Sequence, residues 1–199
     1  VVDGANHKKK KVITTSEIIN SKFKKQHCSN DKWNIYRYYI PTTICDFSDS
    51  EFVLDPFLVG LLIGDGGLSG RGSSIELSLA LDQDYILDRI ILPENIKFTA
   101  TKDYKKHYLR VKFSRIENHG PTMHDYVEKI GLLGTYSDTK FIPKEYLYSS
   151  YESRLKLLDG LAETDGHLND RGLLEYNTVS KRLCSDVVEL IRGLGRQVH

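Results

Sequence analysis

The chain has 199 residues, a formal net charge of +1, 40% hydrophobic and 28% charged residues, the make-up of an ordinary soluble globular protein with core enough for one large domain or two small ones. No apolar run reaches the length of a membrane span, and the N-terminus is polar and basic, unlike a signal sequence. Three scattered cysteines, Cys28, Cys45 and Cys184, with no Cys-x-x-Cys pair, argue against a disulfide framework or a structural zinc, so the expected location is intracellular, cytoplasm or nucleus, and not secreted.

The near-zero charge conceals blocks. Residues 1–37 carry nine Lys or Arg against three acids, residues 38–100 three against ten, and residues 102–115 six against one. Basic blocks around an acidic centre fit a phosphate-binding surface beside a metal site. Lys8 to Lys11 alone reads as a loop or hairpin tip.

Residues 1–54 read as a connecting or accessory segment. Thr14 and Glu17 form a capping box ahead of Ile18 and Ile19, Trp33 to Ile40 is aromatic and β-prone up to Pro41, and residues 42–54 are an acidic, irregular linker. Asp55-Pro56 starts a helix to about Gly64, with Asp as cap and Pro at the first helical position. Ser73 to Leu81 alternates as a half-buried strand. Asp82 to Leu92 is predicted helical, Lys97 to Tyr104 and His107 to Arg115 a hairpin, and Pro121 to Ile130 a helix. A second capping box, Ser149 to Glu152, precedes another apolar helix. Gly172 to Val179 then reads as a strand and Lys181 to Leu194 as a helix.

An internal repeat organises this order. Leu58-Val-Gly-Leu-Leu-Ile-Gly-Asp-Gly66 and Leu158-Asp-Gly-Leu-Ala-Glu-Thr-Asp-Gly166 are each an apolar helix with small residues four apart, Gly60 and Gly64 in one, Gly160 and Thr164 in the other. Small residues on one face let two backbones approach closely. Packed together, these helices bring Asp65 and Asp165 side by side at one end, where two carboxylates repel unless a divalent cation lies between them. Acids are disfavoured at a helix C-terminus, so their presence at both equivalent positions points to function. Glu163 aligns with Ile63 and is assigned to packing or polarity, and His167 to the surface. In the strands, alternation puts Glu76, Ser78, Arg110, Lys112 and Ser114 on one open face, with Lys102, Lys105 and Lys106 near the hairpin tip. Lysines there suit phosphates, and Arg110 suits bidentate contact with guanine. Arg171 and Asn177 are the second repeat's counterparts.

The two motifs resemble the paired signature helices of the LAGLIDADG homing endonucleases, in the form embedded in inteins. Asp138-Thr-Lys-Phe-Ile-Pro-Lys-Glu-Tyr-Leu147, Tyr176-Asn-Thr-Val-Ser-Lys-Arg-Leu183 with Leu194-Gly195, and the approach Tyr36 to Pro41 and Leu54 to Leu58 extend the similarity over about Ile13 to Val198. The resemblance implies an α+β fold: two αββαββα-like repeats, related by a pseudo-two-fold axis, packed through the motif helices, with DNA-binding β-sheets. The first repeat would span 55–148 and the second, truncated, 149–199, after a segment 1–54 belonging to the splicing or DNA-recognition region. It implies a monomeric, site-specific endonuclease acting on both strands of a long double-stranded DNA site, with Mg²⁺ as cofactor and Mn²⁺ able to substitute. Asp65 and Asp165 would hold the metal with backbone carbonyls near Gly64 and Thr164, and Lys140 would polarise the attacking water or stabilise charge near one scissile phosphate. An intein begins with a Cys or Ser nucleophile and ends in His-Asn; here Val1-Val2 and Val198-His199 stand at the ends, and the family's second catalytic lysine has no match. The expectation is an endonuclease portion of a longer intein and host protein. The alternative is a cleavage-impaired DNA-binding remnant, or a maturase-like RNA-binding protein of the same fold.

Overall fold

The computed structural model describes Val2–Asp3 and residues 12–20, 24–26, 34–36, 38–39, 43–49, 51–70 and 74–198. The Lys8 to Lys11 block, Cys28, Trp33 and the first residue of the strand expected from Ser73 lie outside them. The chain divides into two compact units, Val1–Thr43 and Ile44–His199. In the smaller one, β1 (Val2–Asp3), α1 (Thr15–Asn20), β2 (Lys24–Gln26), β3 (Asn34–Tyr36) and β4 (Tyr38–Tyr39) make two short antiparallel pairs, β1 with β4 and β2 with β3. The capping box is present: Glu17 N–H donates to Thr14 Oγ1 at 3.2 Å and Thr14 N–H to Glu17 Oε2 at 2.6 Å.

The larger unit is mixed α and β with antiparallel sheets. Its centre is α2 (Pro56–Asp65), in which every residue from Pro56 to Ile63 is buried, as befits a helix that is apolar all round. Asp55 Oδ1 caps it, accepting the N–H of Phe57 at 3.0 Å and of Leu58 at 3.4 Å. The chain then forms β5 (Gly66–Gly67), β6 (Glu76–Ala80), β7 (Ile96–Asp103) and β8 (Tyr108–Arg115), a four-stranded antiparallel sheet in the order β5-β6-β8-β7. Leu77 and Leu79 pair with Val111 and Leu109 on the core side, and Glu76 and Ser78 with Lys112 and Arg110 on the open side. The hairpin turns through Lys105 and Lys106, whose N–H groups both reach Asp103 Oδ1 at 3.1 Å, and closes with His107 at φ 56°.

The helix expected over Asp82 to Leu92 is instead a 3₁₀ turn, Asp84–Arg89. Gln83 Oε1 accepts Ala80 N–H at 2.8 Å, setting a turn immediately before it. Ile86 alone is buried in the segment, so no apolar stripe rewards a longer helix. Two short helices follow, α3 (Met123–Lys129), entered through a Thr122–Asp125 capping box, and α4 (Lys144–Leu147). Tyr146 of α4 donates its hydroxyl to Leu54 O and accepts Leu54 N–H, fixing the entry to α2. Burial pushes its phenol up to about 12.

Next comes α5 (Tyr151–Asp165), capped by Ser150, whose Oγ accepts Ser153 N–H at 3.2 Å. The expected cap, Ser149, is buried and donates to Tyr146 O instead. The acidic linker supplies two more caps: Asp46 Oδ1 accepts Tyr151 N–H at 2.8 Å and Asp49 Oδ1 accepts Ser150 N–H at 2.9 Å. The Ser150 N–H, at the positive end of α5, holds Asp49 below the ordinary carboxylate range. Arg154, wholly buried, donates to the carbonyls of Ser149 and Cys45.

After α5, β9 (Gly166–Leu168) pairs antiparallel with β10 (Leu174–Tyr176), and α6 (Lys181–Gly193) buries Leu183, Val187 and Leu190. The strand expected over Gly172 to Val179 is shorter because Asn169 Oδ1 draws in the N–H groups of Arg171 and Leu173, and Gly172 takes φ 71°. The two halves differ in cover. Leu68 and Ile75 beside β5 and β6 are 1% and 2% exposed; their counterparts Leu168 and Leu174 are 65% and 46% exposed. Among the described residues, no helix is long and apolar enough to cross a membrane.

Candidate active site

The geometry begins with missing side chains. A methyl built on Gly60 would fall 2.4 Å from Leu157 O, and one on Gly160 2.2 Å from Phe57 O. Only hydrogen fits at either place, so α2 and α5 cross in backbone contact. Four residues on, a methyl at Gly64 would lie 1.9 Å from Thr164 Oγ1: the threonine fills the space that glycine leaves, and its hydroxyl bonds back to Leu161 O at 3.0 Å and Gly160 O at 3.2 Å. Both helices end one residue later, at Asp65 and Asp165.

Both carboxylates are half-buried. Burial, with the charge of Asp165 adding to it, pushes Asp65 up to about 6, and Lys140 offsets part of the rise. Burial also raises Asp165, against the pull of Lys140 and a hydrogen bond from Tyr176. Lys140 is only 6% exposed. Its Nζ donates to Gly64 O at 2.7 Å and Gly66 O at 3.1 Å, the carbonyls on either side of Asp65. Burial lowers the ammonium's pKa, while Asp165 and Asp65 hold it up. The lysine's own backbone is pinned twice: Lys140 N–H reaches Tyr136 O, and Ser180 Oγ donates to Lys140 O at 2.7 Å while capping α6.

A cavity of about 440 Å³ opens here, lined by residues that include Gly64, Lys140, Asp165 and Asn177. Gly60, Gly64, Asp65, Lys140, Gly160, Thr164 and Asp165 are thus gathered at one place. Asn177 joins them, its N–H 3.4 Å from Asp165 O, rather than standing out on a sheet. Arg171 is exposed in the turn between β9 and β10.

On the open face of the four-stranded sheet, Glu76 lies 3.6 Å from both Arg110 Nε and Lys112 Nζ, and Ser78 is opposite Arg110. Lys105 and Lys106 are exposed at the turn. Lys102 departs from this group. It pairs with Leu109, on the core-facing side of the sheet, and its Nζ bonds Asp84 at 2.6 Å. Strand parity alone, counted along β7, carries that difference. Glu163 ties the first half to α5: it accepts from Tyr85 Oη at 2.6 Å and Arg89 at 2.5 Å, and Arg89 also bonds Asp159.

Tyr176 and Ser180 went unassigned in the sequence. Aligning the strands after the two Asp-Gly ends would have found Tyr176, because it pairs with Gly166 as Leu77 pairs with Gly66. Nothing local marks Ser180 as the anchor of Lys140. A second acidic group, His124, Asp125 and Glu128, lies on α3, where Asp125 is already engaged in the capping box.

Over 150 residues, 75% of its length, the chain is 30% identical to a replicative DNA helicase DnaB from Mycobacterium intracellulare, and the match takes in 20% of that protein. The chain therefore spans about one fifth of the relative it matches. No protein-family model matches the chain.

Proposed function

We propose that the chain is the endonuclease portion of an intein, of the two-motif LAGLIDADG type, hydrolysing phosphodiester bonds in both strands of a long double-stranded DNA site. One observation carries the reading: two carboxylates at the ends of helices locked together through Gly60 and Gly160, with a buried lysine ammonium beside them. The likeness to one fifth of a DNA helicase is in keeping with a domain carried inside a longer host protein.

The donor set fits a hard divalent cation. Two half-buried carboxylates whose charge is disfavoured by burial and by each other gain most from a cation, and oxygen donors are what Mg²⁺ prefers. Asp65 and Asp165 would hold it with the carbonyls of Gly64 and Thr164; Gly64 O already accepts from Lys140 and keeps one lone pair. When bound, Mg²⁺ or Mn²⁺ neutralises charge on the scissile phosphate and acidifies the attacking water. The Lys140 ammonium, anchored at Gly64 O and Gly66 O, would stabilise negative charge developing on a phosphate oxygen. The open face of the sheet lays Arg110 and Lys112 toward the duplex, with Lys105 and Lys106 at its end for phosphates.

A cleavage-impaired DNA-binding remnant is the second reading, favoured by one feature: the Lys140 ammonium is engaged by the carbonyls flanking Asp65. Incubation with a randomised duplex library and Mg²⁺, followed by sequencing of the ends produced, separates the two. Cutting at a discrete sequence, absent in Asp65→Asn and Asp165→Asn, supports the endonuclease. Unaltered cutting in either variant, or binding with no cut in Mg²⁺ or Mn²⁺, contradicts it.

A further inference from the structure

The two halves of the site are furnished differently. Beside Asp65, Lys140 bonds the carbonyls of Gly64 and Gly66, and the strand position opposite Gly66 is Leu77, wholly buried and apolar. The same strand position opposite Gly166 is Tyr176. Its ring packs against the core, and its hydroxyl donates to Asp165 Oδ2 at 3.4 Å. The neighbouring residue, Asn177, sends its N–H to the backbone carbonyl of Asp165, so the last residue of β10 and the one after it hold both the side chain and the main chain of that aspartate.

We propose that Tyr176 is a positioning residue for Asp165, its hydroxyl favouring one rotamer of a carboxylate that, among the described residues, has no lysine-bonded carbonyls around it. The inference rests on the reading of Asp65 and Asp165 as a cation site. A carboxylate at the end of a helix has more than one χ1 and χ2 rotamer open to it, and these aim its oxygens in different directions. A hydroxyl on Oδ2 favours one of these rotamers and leaves Oδ1 open to a ligand. The phenol sits on a strand that is itself paired to the residue following Asp165, so its position is set by backbone hydrogen bonds rather than by the ligand. Beside Asp65 it is the main chain that is held, through the lysine-bonded carbonyls on both sides of it.

Mn²⁺ titration of the whole chain, followed by electron paramagnetic resonance, tests this in wild type, Asp65→Asn and Tyr176→Phe. The phenylalanine keeps the ring and loses only the hydroxyl, and a metal-free melt checks that the fold is intact. The expected result is Mn²⁺ binding that depends on Asp65 and weakens about tenfold in Tyr176→Phe, the low end for loss of a group that orients a metal ligand. Binding within twofold of wild type overturns the role of Tyr176 while leaving the cation site standing. Mn²⁺ binding indifferent to Asp65→Asn, or none in wild type, overturns the cation site and this inference with it. If Tyr176→Phe melts early, Asp165→Asn supplies the converse test. The ¹³Cζ resonance of Tyr176 moves if its hydroxyl serves that carboxylate, and an unmoved resonance refutes the contact.

Discussion

Replacing Asp65 by Asn in metal-free protein should stabilise the fold at pH 8. Its carboxyl is raised from 3.8 to about 6 by burial and by Asp165, net of the attraction of Lys140. Holding it charged therefore costs the folded state up to about 3 kcal/mol. Part of the side chain stays in water, so half of that, about 1.5 kcal/mol, is a sounder expectation after screening. A folded-state value above the unfolded one means that the native state binds the proton more tightly. The contribution is favourable below pH 3.8 and is lost as pH rises through about 6. Asn has no charge to hold, so melts in EDTA should show the variant about 3–6 °C above wild type at pH 8. The gap should close by pH 4. Adding Mg²⁺ should reverse the order, because only the wild type gains the binding energy of the cation. A variant less stable than wild type at pH 8 in EDTA would refute the reasoning, since the carboxylate would then be held by net attraction.

Five further substitutions make three tests. Gly60→Ala puts a methyl 2.4 Å from Leu157 O and should cost about 3 kcal/mol by urea unfolding as α2 and α5 are forced apart; a cost below ~0.5 kcal/mol would mean that the helices are not in backbone contact. Leu68→Ala should cost about 3 kcal/mol and Leu168→Ala less than ~0.5, since one side chain is buried and its counterpart exposed; equal costs in the same unfolding assay would contradict the asymmetry of the halves. Lys105→Ala should lower the salt slope of DNA binding by about one, and Lys102→Ala should leave it unchanged because Lys102 is engaged with Asp84; fluorescence anisotropy across a salt series reads both.

Much of the framework is written in local sequence. Asp55-Pro56 starts α2 as capping chemistry dictates, alternation along residues 76–80 and 108–115 gives the sheet its two faces, and the small residues Gly60, Gly64, Gly160 and Thr164 foretell a close helix crossing. What stayed hidden depends on partners far along the chain. Asp46 and Asp49 read as linker acids, yet they cap a helix more than a hundred residues away. The segment after Ala80 has a helix-like pattern, but Gln83, Tyr85 and Arg89 are turned toward Glu163 and Asp159 on α5, and a 3₁₀ turn results. At the site, the repeat marks Asp65 and Asp165, whereas Tyr176 and Ser180 become legible only once strand register and the path of the Lys140 loop are known. Side chains that serve backbone groups across the fold leave no periodicity behind.

The most direct measurement of the proposed activity is the product formed from a supercoiled plasmid carrying the junction that an intein containing this chain would interrupt, with the whole intein-coding segment removed. With Mg²⁺, linear DNA cut at that junction is the result predicted for wild type, and none for Asp65→Asn or Asp165→Asn. A plasmid left supercoiled by wild-type protein that binds the junction tightly would contradict the account.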